Sequence, residues 1–323
     1  MAPISSLKTV QTIGRGAAKT LDALIVGYGN MGSAFAAGLK KAKIANITAV
    51  SPTAREIDGI RFCQNPEEIK GLKFDVIIGG VKPQIFKDVF MRGDFCNNLK
   101  SHGAVISLAA GLSLETLEEC FNPNTAIVRA MPNLPAKIGL SVTGAVANQH
   151  ASDEQLQLAH EILSAVGEVV WVKDEKAINA ITAASGSGPG YMFEIMRQFS
   201  TAIKTLSDTN ELGFSDEDIR ALVINTMEGS ARLAKQDSSK SFEELRNAVT
   251  SKGGTTAAGL QKLSEGNQIG SLLTNTVQAA FDRAIELAKI AATTTPSAPS
   301  KDIEKPSSAQ QLSNAAEKEA QSR

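Results

Sequence analysis

The sequence predicts an α/β fold in which a doubly wound parallel sheet is followed by an all-α region. Three observations carry this. Short apolar runs recur through the first half at the spacing of strands joined by crossovers. A glycine loop follows the first run and opens a helical pattern. Beyond residue 172 the apolar period changes from that of strands to that of helices. Four segments result: 1–20, a flexible N-terminal extension; 21–172, the sheet domain; 173–292, the helical domain; and 293–323, a disordered tail rich in Ser and Pro.

The extension contains Lys8, Arg15 and Lys19 and no acid. This is the composition of a transit peptide, but the stretch is short and lacks a clear amphipathic stripe. The folded part opens at "DALIVGYGNMGSAFAAGLKKA". Leu24 to Val26 reads as a buried strand, then comes Gly27-x-Gly29-x-x-Gly32 and a helix through Phe35 and Leu39. The first glycine makes the tight turn. The second admits a pyrophosphate to the backbone, and the third lets helix and strand pack closely. With a strand before it and a helix after it, this is a Rossmann-type dinucleotide loop, and Val26, Gly27, Tyr28, Gly29, Asn30 and Met31 are cofactor candidates.

Further strands are expected at 46–50, 75–80, 104–110 and 126–131. The second ends in "AVSPTARE", with Ser51, Thr53 and Arg55 where an NAD-type site carries an acid for the ribose 2′-hydroxyl. Hydroxyls and an arginine suit a 2′-phosphate, so NADPH is favoured over NADH; Glu56 reaches the position only after a register shift. The third strand ends in "GGVKPQ", where Pro83 stops strand pairing and leaves Val81 and Lys82 at the carboxyl edge. "SLAAG" (107–111) and "RAMPNLPAKIG" (129–139) end the next strands in small residues and prolines and form a cleft wall.

The helical half carries three apolar stripes: Met192 to Leu206, Ile219 to Leu233 and Val277 to Ala288. We read them as core, with a subunit interface as a second use. "ASGSGPGYMF" (184–193) and "VTSKGGTTAAG" (249–259) each stand before a helical run. As helix amino termini, both would offer free N–H groups to a small carboxylate. Gly186, Ser187 and Gly188 offer bare backbone for close approach, with Pro189 beginning the helix.

Composition excludes several classes. The chain has 323 residues, 42% of them apolar, and a net charge of −1, so no strong field points to nucleic acid or an acidic membrane. No apolar run approaches a bilayer span. Three cysteines and three histidines show no metal-ligand spacing, and the odd, scattered thiols fit a reducing cytoplasmic setting.

At "GYGNMG", "GGVKPQ", "SLAAGLSLETLE", "RAMPNLPAKIG", "AINAITAASGSGPGYMF" and "TSKGGTTAAGLQKL", in that order over residues 22–290, the chain resembles the Δ1-pyrroline-5-carboxylate reductases. The resemblance implies a Rossmann domain followed by an all-α dimerisation domain, with homodimers that build larger rings. It implies 1-pyrroline-5-carboxylate as substrate and proline as product, with NADP(H) or NAD(H) as cofactor. Cofactor contacts then extend to Ser51, Asn65, Gly80, Val81, Lys82, Pro83, Leu108, Ala109 and Ala110. The substrate carboxylate would lie on Ser251, Gly253, Gly254, Thr255 and Thr256, and Thr256 would meet the ring nitrogen. Glu175 matches an acidic position near the substrate; with Thr256 and Ser187 it completes the candidate catalytic set.

Three departures stand out: Lys252 for the family's proline, Gly190 for an alanine and Asn179 for an aspartate. None removes a group the chemistry needs. Since no His, Cys or Lys is placed as a strong acid, positioning and electrostatics should dominate catalysis. A β-hydroxyacid dehydrogenase would want a lysine in the first helix of the second domain, and Thr182 to Met196 has none. A cofactor-binding sensor without turnover is the rival from another class.

Overall fold

A computed structural model describes residues 20–53 and 55–293, with side chains through 290. The charged extension and the Ser/Pro-rich tail therefore lie outside the described residues, apart from their inner edges.

One eight-stranded sheet is ordered β3-β2-β1-β4-β5-β6-β7-β8. The strands are β1 (Leu21–Val26), β2 (Ala45–Val50), β3 (Ile60–Cys63), β4 (Phe74–Gly79), β5 (Leu99–Ser107), β6 (Ile127–Met131), β7 (Ser141–Ala147) and β8 (Gly167–Trp171). The order reverses between β1 and β4, and β1 pairs in parallel with both β2 and β4. The carboxyl ends of Val26, Val50 and Gly79 thus converge at a topological switch point, where such sheets take their ligands.

The helices of this half are α1 (Asn30–Ala42), α2 (Pro83–Gly93), α3 (Leu114–Glu118) and α4 (Asp153–Ser164). Those of the second half are α5 (Ala177–Ile181), α6 (Gly188–Thr209), α7 (Asp216–Gln236), α8 (Phe242–Ala248), α9 (Thr255–Leu263) and α10 (Gln268–Thr293). Pro83 is the first residue of α2, where its missing N–H costs nothing. Two apolar cores sandwich the sheet. On one side Phe35, Leu39, Ile25, Ile78 and Leu163 are fully buried; on the other lie Phe86, Phe90, Phe95, Leu24 and Ile77. β1 and β4 contribute to both faces, which explains their continuous apolar runs.

Three expectations change. The sheet is not wholly parallel: β7 runs antiparallel to β6 and β8 follows β7. Only a short 3₁₀ turn, Leu134–Ile138, separates β6 from β7. That link is too short for a parallel crossover. β3 is a four-residue edge strand, "IRFC", with no strong alternation to reveal it.

The helical stripes are not the core of this chain. Ile219, Val223 and Ala284 are buried, but Met192, Ile195, Phe199, Leu206, Leu222, Leu233, Val277 and Leu287 are exposed. Periodicity shows which residues share a face, not what covers the face.

The third change concerns the first glycine cluster, where α6 begins at Gly188 with Pro189 in its first turn but does not begin as a free end. α5 is already helical before it, and Thr182–Gly186 forms a π-helical turn leading directly into α6. The Ser187 N–H donates five residues back, to Thr182 O at 2.9 Å. This amide is therefore not free for an anion, and of the two clusters only the second starts a helix with no helical turn running into it.

Candidate active site

The cofactor cradle is built by backbone packed too closely for side chains. Gly27 N donates to Val50 O (2.9 Å), and Gly80 N to Val26 O (2.8 Å). This ties the tips of β2, β1 and β4 together. Gly27 has φ +93°, and a Cβ there would sit 2.6 Å from Val81 Cγ1. A Cβ on Gly80 would come 2.8 Å from Gly27 O, and one on Gly32 would overlap the same oxygen. Gly29 differs: a Cβ there meets nothing within 4 Å. It caps α1 with no side-chain hydrogen bond, and the first α1 amide paired back onto this cap is that of Ser33. The helix thus presents free N–H groups to open space, as a pyrophosphate requires. The residues fit a dinucleotide.

Past β2, Ser51 is buried, with its N–H bonded to Cys63 O at 3.0 Å. The Arg55 guanidinium lies 5.6 Å from the centre of the Tyr28 ring. Tyr28 is itself buried and packs edge-on to Phe62, with ring centroids 4.8 Å apart. Burial pushes the Tyr28 hydroxyl up, against the opposing pull of Arg55 and Lys40. A cation held over a ring at the end of β2 suits the 2′-phosphate. Thr53 and Glu56 are exposed on the same loop. Asn65 is exposed after β3, with its N–H held by Glu68 Oε1 at 3.0 Å. Lys82 is an exposed helix cap before Pro83.

After β5, Leu108 N donates to Gly79 O (2.9 Å) and Ala109 N to Ser107 Oγ (3.3 Å). Leu108 and Ala109 are buried, and Ala110 faces solvent. Gly111, at φ +83°, brings this loop towards α10: a Cβ on it would be 3.9 Å from Leu287 O.

Glu175 lies at the junction between the two halves. Its Oε1 accepts from Arg129 (2.6 Å) and from the Leu114 N–H at the start of α3 (2.8 Å). Arg129 is 6% exposed on β6, in register with Ser107. Further along, Asn133 Nδ2 donates to both Ser185 O and Ser185 Oγ, each at 3.1 Å. Next to it the π-turn packs on β6, where a Cβ on Gly186 would be 2.9 Å from Met131 Cε. Asn133, Val142, Ser185, Gly188, Pro189 and Phe193 line an open groove of about 430 Å³.

The second glycine segment stands apart. Gly254 caps α9, Gly253 has φ +73°, and Gly254 N donates to Ser251 O at 3.1 Å. Ser251, Lys252, Gly253, Thr255 and Thr256 are exposed. Among the described residues, no hydrogen bond or ion pair joins 251–256 to the cofactor loops. A single chain brings together Val26–Met31, Ser51, Gly80–Pro83 and Leu108–Ala110, but leaves 251–256 outside. Sequence reasoning gave no role to Arg129 or Asn133. The signal for Arg129 was present: a lone charge inside the apolar run "AIVRAM".

The fold and cradle define a dinucleotide-binding oxidoreductase scaffold with an appended helical domain. The family model for the pyrroline-5-carboxylate reductase dimerisation domain matches residues 175–287. The chain is 34% identical over 276 residues to the pyrroline-5-carboxylate reductase of Vibrio alginolyticus, covering 82% of this chain and 97% of that protein. A solved pyrroline-5-carboxylate reductase from Coxiella burnetii is 33% identical and covers 83% of this chain and 99% of its own, with a TM-score of 0.75. The Plasmodium falciparum pyrroline carboxylate reductase, solved with NADP bound, is 27% identical and covers 83% of this chain and 98% of its own, with a TM-score of 0.69. The chain belongs to the pyrroline-5-carboxylate reductase family.

Proposed function

We propose that this chain reduces 1-pyrroline-5-carboxylate to L-proline, with NADPH preferred over NADH. The observation that carries the reading is the open α1 terminus at Gly29, walled by glycines that admit no side chain and flanked by the π-turn of the helical half. When bound, the reduced nicotinamide supplies hydride to the C=N carbon of the substrate. The free amides of α1 hold the pyrophosphate, and Arg55 with Ser51 and Thr53 meets the 2′-phosphate. Asn65, Lys82 and Leu108–Ala110 line the remaining cofactor path. Amides of Gly253 to Thr255 and the Ser251 hydroxyl hold the substrate carboxylate, and the Thr256 hydroxyl orients the ring nitrogen. Glu175 positions rather than reacts, because its Oε1 is committed to Arg129 and Leu114 N.

Because 251–256 is exposed and unconnected to the cofactor loops of its own chain, we assign it to the cleft of a second copy. The exposed apolar faces of α6, α7 and α10 support such a dimer, and rings of dimers would extend it. The three cysteines are free, which suits a reducing cytoplasm.

Steady-state oxidation of NADPH and NADH with pyrroline-5-carboxylate, beside a Thr256→Val control, tests the reading. Turnover that collapses in the control supports it; cofactor binding without turnover overturns it in favour of a sensor. Mixing Thr256→Val with a cofactor-loop variant tests the shared site. Recovered activity supports it, and none after subunit exchange refutes it.

A further inference from the structure

We infer that Asn133 is a positioning residue for hydride transfer, acting as the hydrogen-bond donor that Pro189 cannot be. Its kinetic part rests on the reductase reading above; its structural part does not.

The chain passes from α5 through the π-turn, with Ser187 as the one residue between that turn and α6. In an α-helix the Ser185 carbonyl would receive the N–H of residue 189, but that residue is proline. The next N–H, that of Gly190, bonds to Ser187 O at 2.9 Å. Ser185 O therefore depends on a side chain, and Asn133 Nδ2 reaches it at 3.1 Å while also donating to Ser185 Oγ. The amide is fixed at its other end, since Oδ1 accepts from Val142 N (3.1 Å). The Asn133 N–H donates to Ser141 Oγ (3.2 Å), and the Ser185 hydroxyl donates to Val142 O (3.2 Å). Asn133 is 9% exposed, so its own amide has little access to water in exchange.

The network sets the depth of the bare backbone. Gly186, next to Ser185, rests against Met131, and Gly188 opens onto space. Asn133 also caps the 3₁₀ turn Leu134–Ile138, whose Lys137 reaches Asn30 Oδ1 at 3.4 Å in the first turn of α1. One side chain thus ties the π-turn to the strand tip and, through that turn, to the cofactor helix. Small displacements there act on the reacting distance.

The experiment compares the parent with Asn133→Ala, Asn133→Asp, Pro189→Ala and Asn133→Ala/Pro189→Ala. Asp keeps the acceptor for Val142 N but has no donor for Ser185 O. Three readouts are used: kcat and KM for each substrate, the isotope effect with NADPH deuterated at nicotinamide C4, and amide exchange at Ser187 and Gly188 in cofactor-free protein. Both Asn133 single variants should lose roughly 10- to 100-fold in kcat, with KM for NADPH little changed. They should also show a larger isotope effect and faster exchange at those amides. In the Pro189→Ala background, residue 189 regains its N–H, so the loss on removing Asn133 should shrink.

Unchanged kcat and exchange would overturn the inference. So would an equal loss in both backgrounds, because Asn133 would then not be standing in for the proline donor. A parent that fails to turn over pyrroline-5-carboxylate overturns the reductase reading alone, and the exchange measurements still decide the role of Asn133.

Discussion

Gly29 and Gly32 lie three residues apart in one motif but fail in different ways when given a methyl group. A Cβ on Gly32 overlaps the Gly27 carbonyl, so Gly32→Ala must push the loop from the helix. It should lower stability by about 1–3 kcal/mol and abolish NADPH binding. A Cβ on Gly29 meets nothing, so Gly29→Ala should fold like the parent and lose only cofactor affinity. Urea unfolding and NADPH fluorescence titration distinguish the two. Arg55 lies over Tyr28 at the end of β2. Arg55→Ala should weaken NADPH binding by about tenfold, the value of one charged contact of roughly 1.4 kcal/mol, and leave NADH binding nearly unchanged. Equal losses for both cofactors would remove Arg55 from the 2′-phosphate site. Both glycine roles were legible in the spacing alone. The Arg55–Tyr28 stacking was not, because the two residues meet only when β1 and β2 pair.

The elements β6, α3 and α5 meet at Arg129 and Glu175. Glu175→Gln would leave the Arg129 guanidinium buried without its counter-charge, and breaking a buried pair from one side costs about 3–5 kcal/mol. Glu175 is 29% exposed at its side chain, so the lower end is expected. Urea unfolding measures it, and a cost near zero would show the pair to be incidental.

Towards the amino ends of the central strands β1, β4 and β5, Asp75 accepts from Lys100 (2.8 Å), Asp22 N (2.8 Å) and His102 (3.0 Å). Burial pushes the Asp75 carboxyl up, but those hydrogen bonds outweigh it and hold the group below its ordinary value of 3.8. A carboxylate depressed on folding contributes stability above its unfolded value and loses it as the pH falls towards its folded one. Stability should therefore decline below about pH 4, and Asp75→Asn should flatten that decline in unfolding curves taken from pH 3 to 7. None of this was legible beforehand. Asp22, Asp75 and the pair Lys100 and His102 are far apart in the chain, and the sheet order gathers them.

For the whole molecule, the exposed apolar faces decide the assembly. Phe199, Leu206, Leu272 and Leu287 lie on helices with few buried residues of their own. The matched family domain over 175–287 is a dimerisation domain, and the protein is a homo-oligomer. Leu206→Glu with Leu272→Glu should yield monomers in sedimentation that keep NADPH binding and lose turnover. Full turnover by such monomers would refute a carboxylate site shared between copies.

The sequence by itself determined the α/β class, the dinucleotide loop and the family, because each rests on local spacing: glycines at fixed intervals, a strand before and a helix after. It also marked the second glycine segment as a helix start, since that depends only on neighbouring residues. Only the tertiary structure decided that β7 and β8 reverse, that the first glycine cluster carries a π-turn leading into a helix, and that the stripes face outward. For the strands the deciding feature is the short link through Leu134–Ile138, and for the stripes it is the absence of a covering element among the described residues; an apolar pattern records neither. For the π-turn it is Asn133, 52 residues before Ser185, whose amide satisfies the carbonyl that Pro189 leaves unpaired.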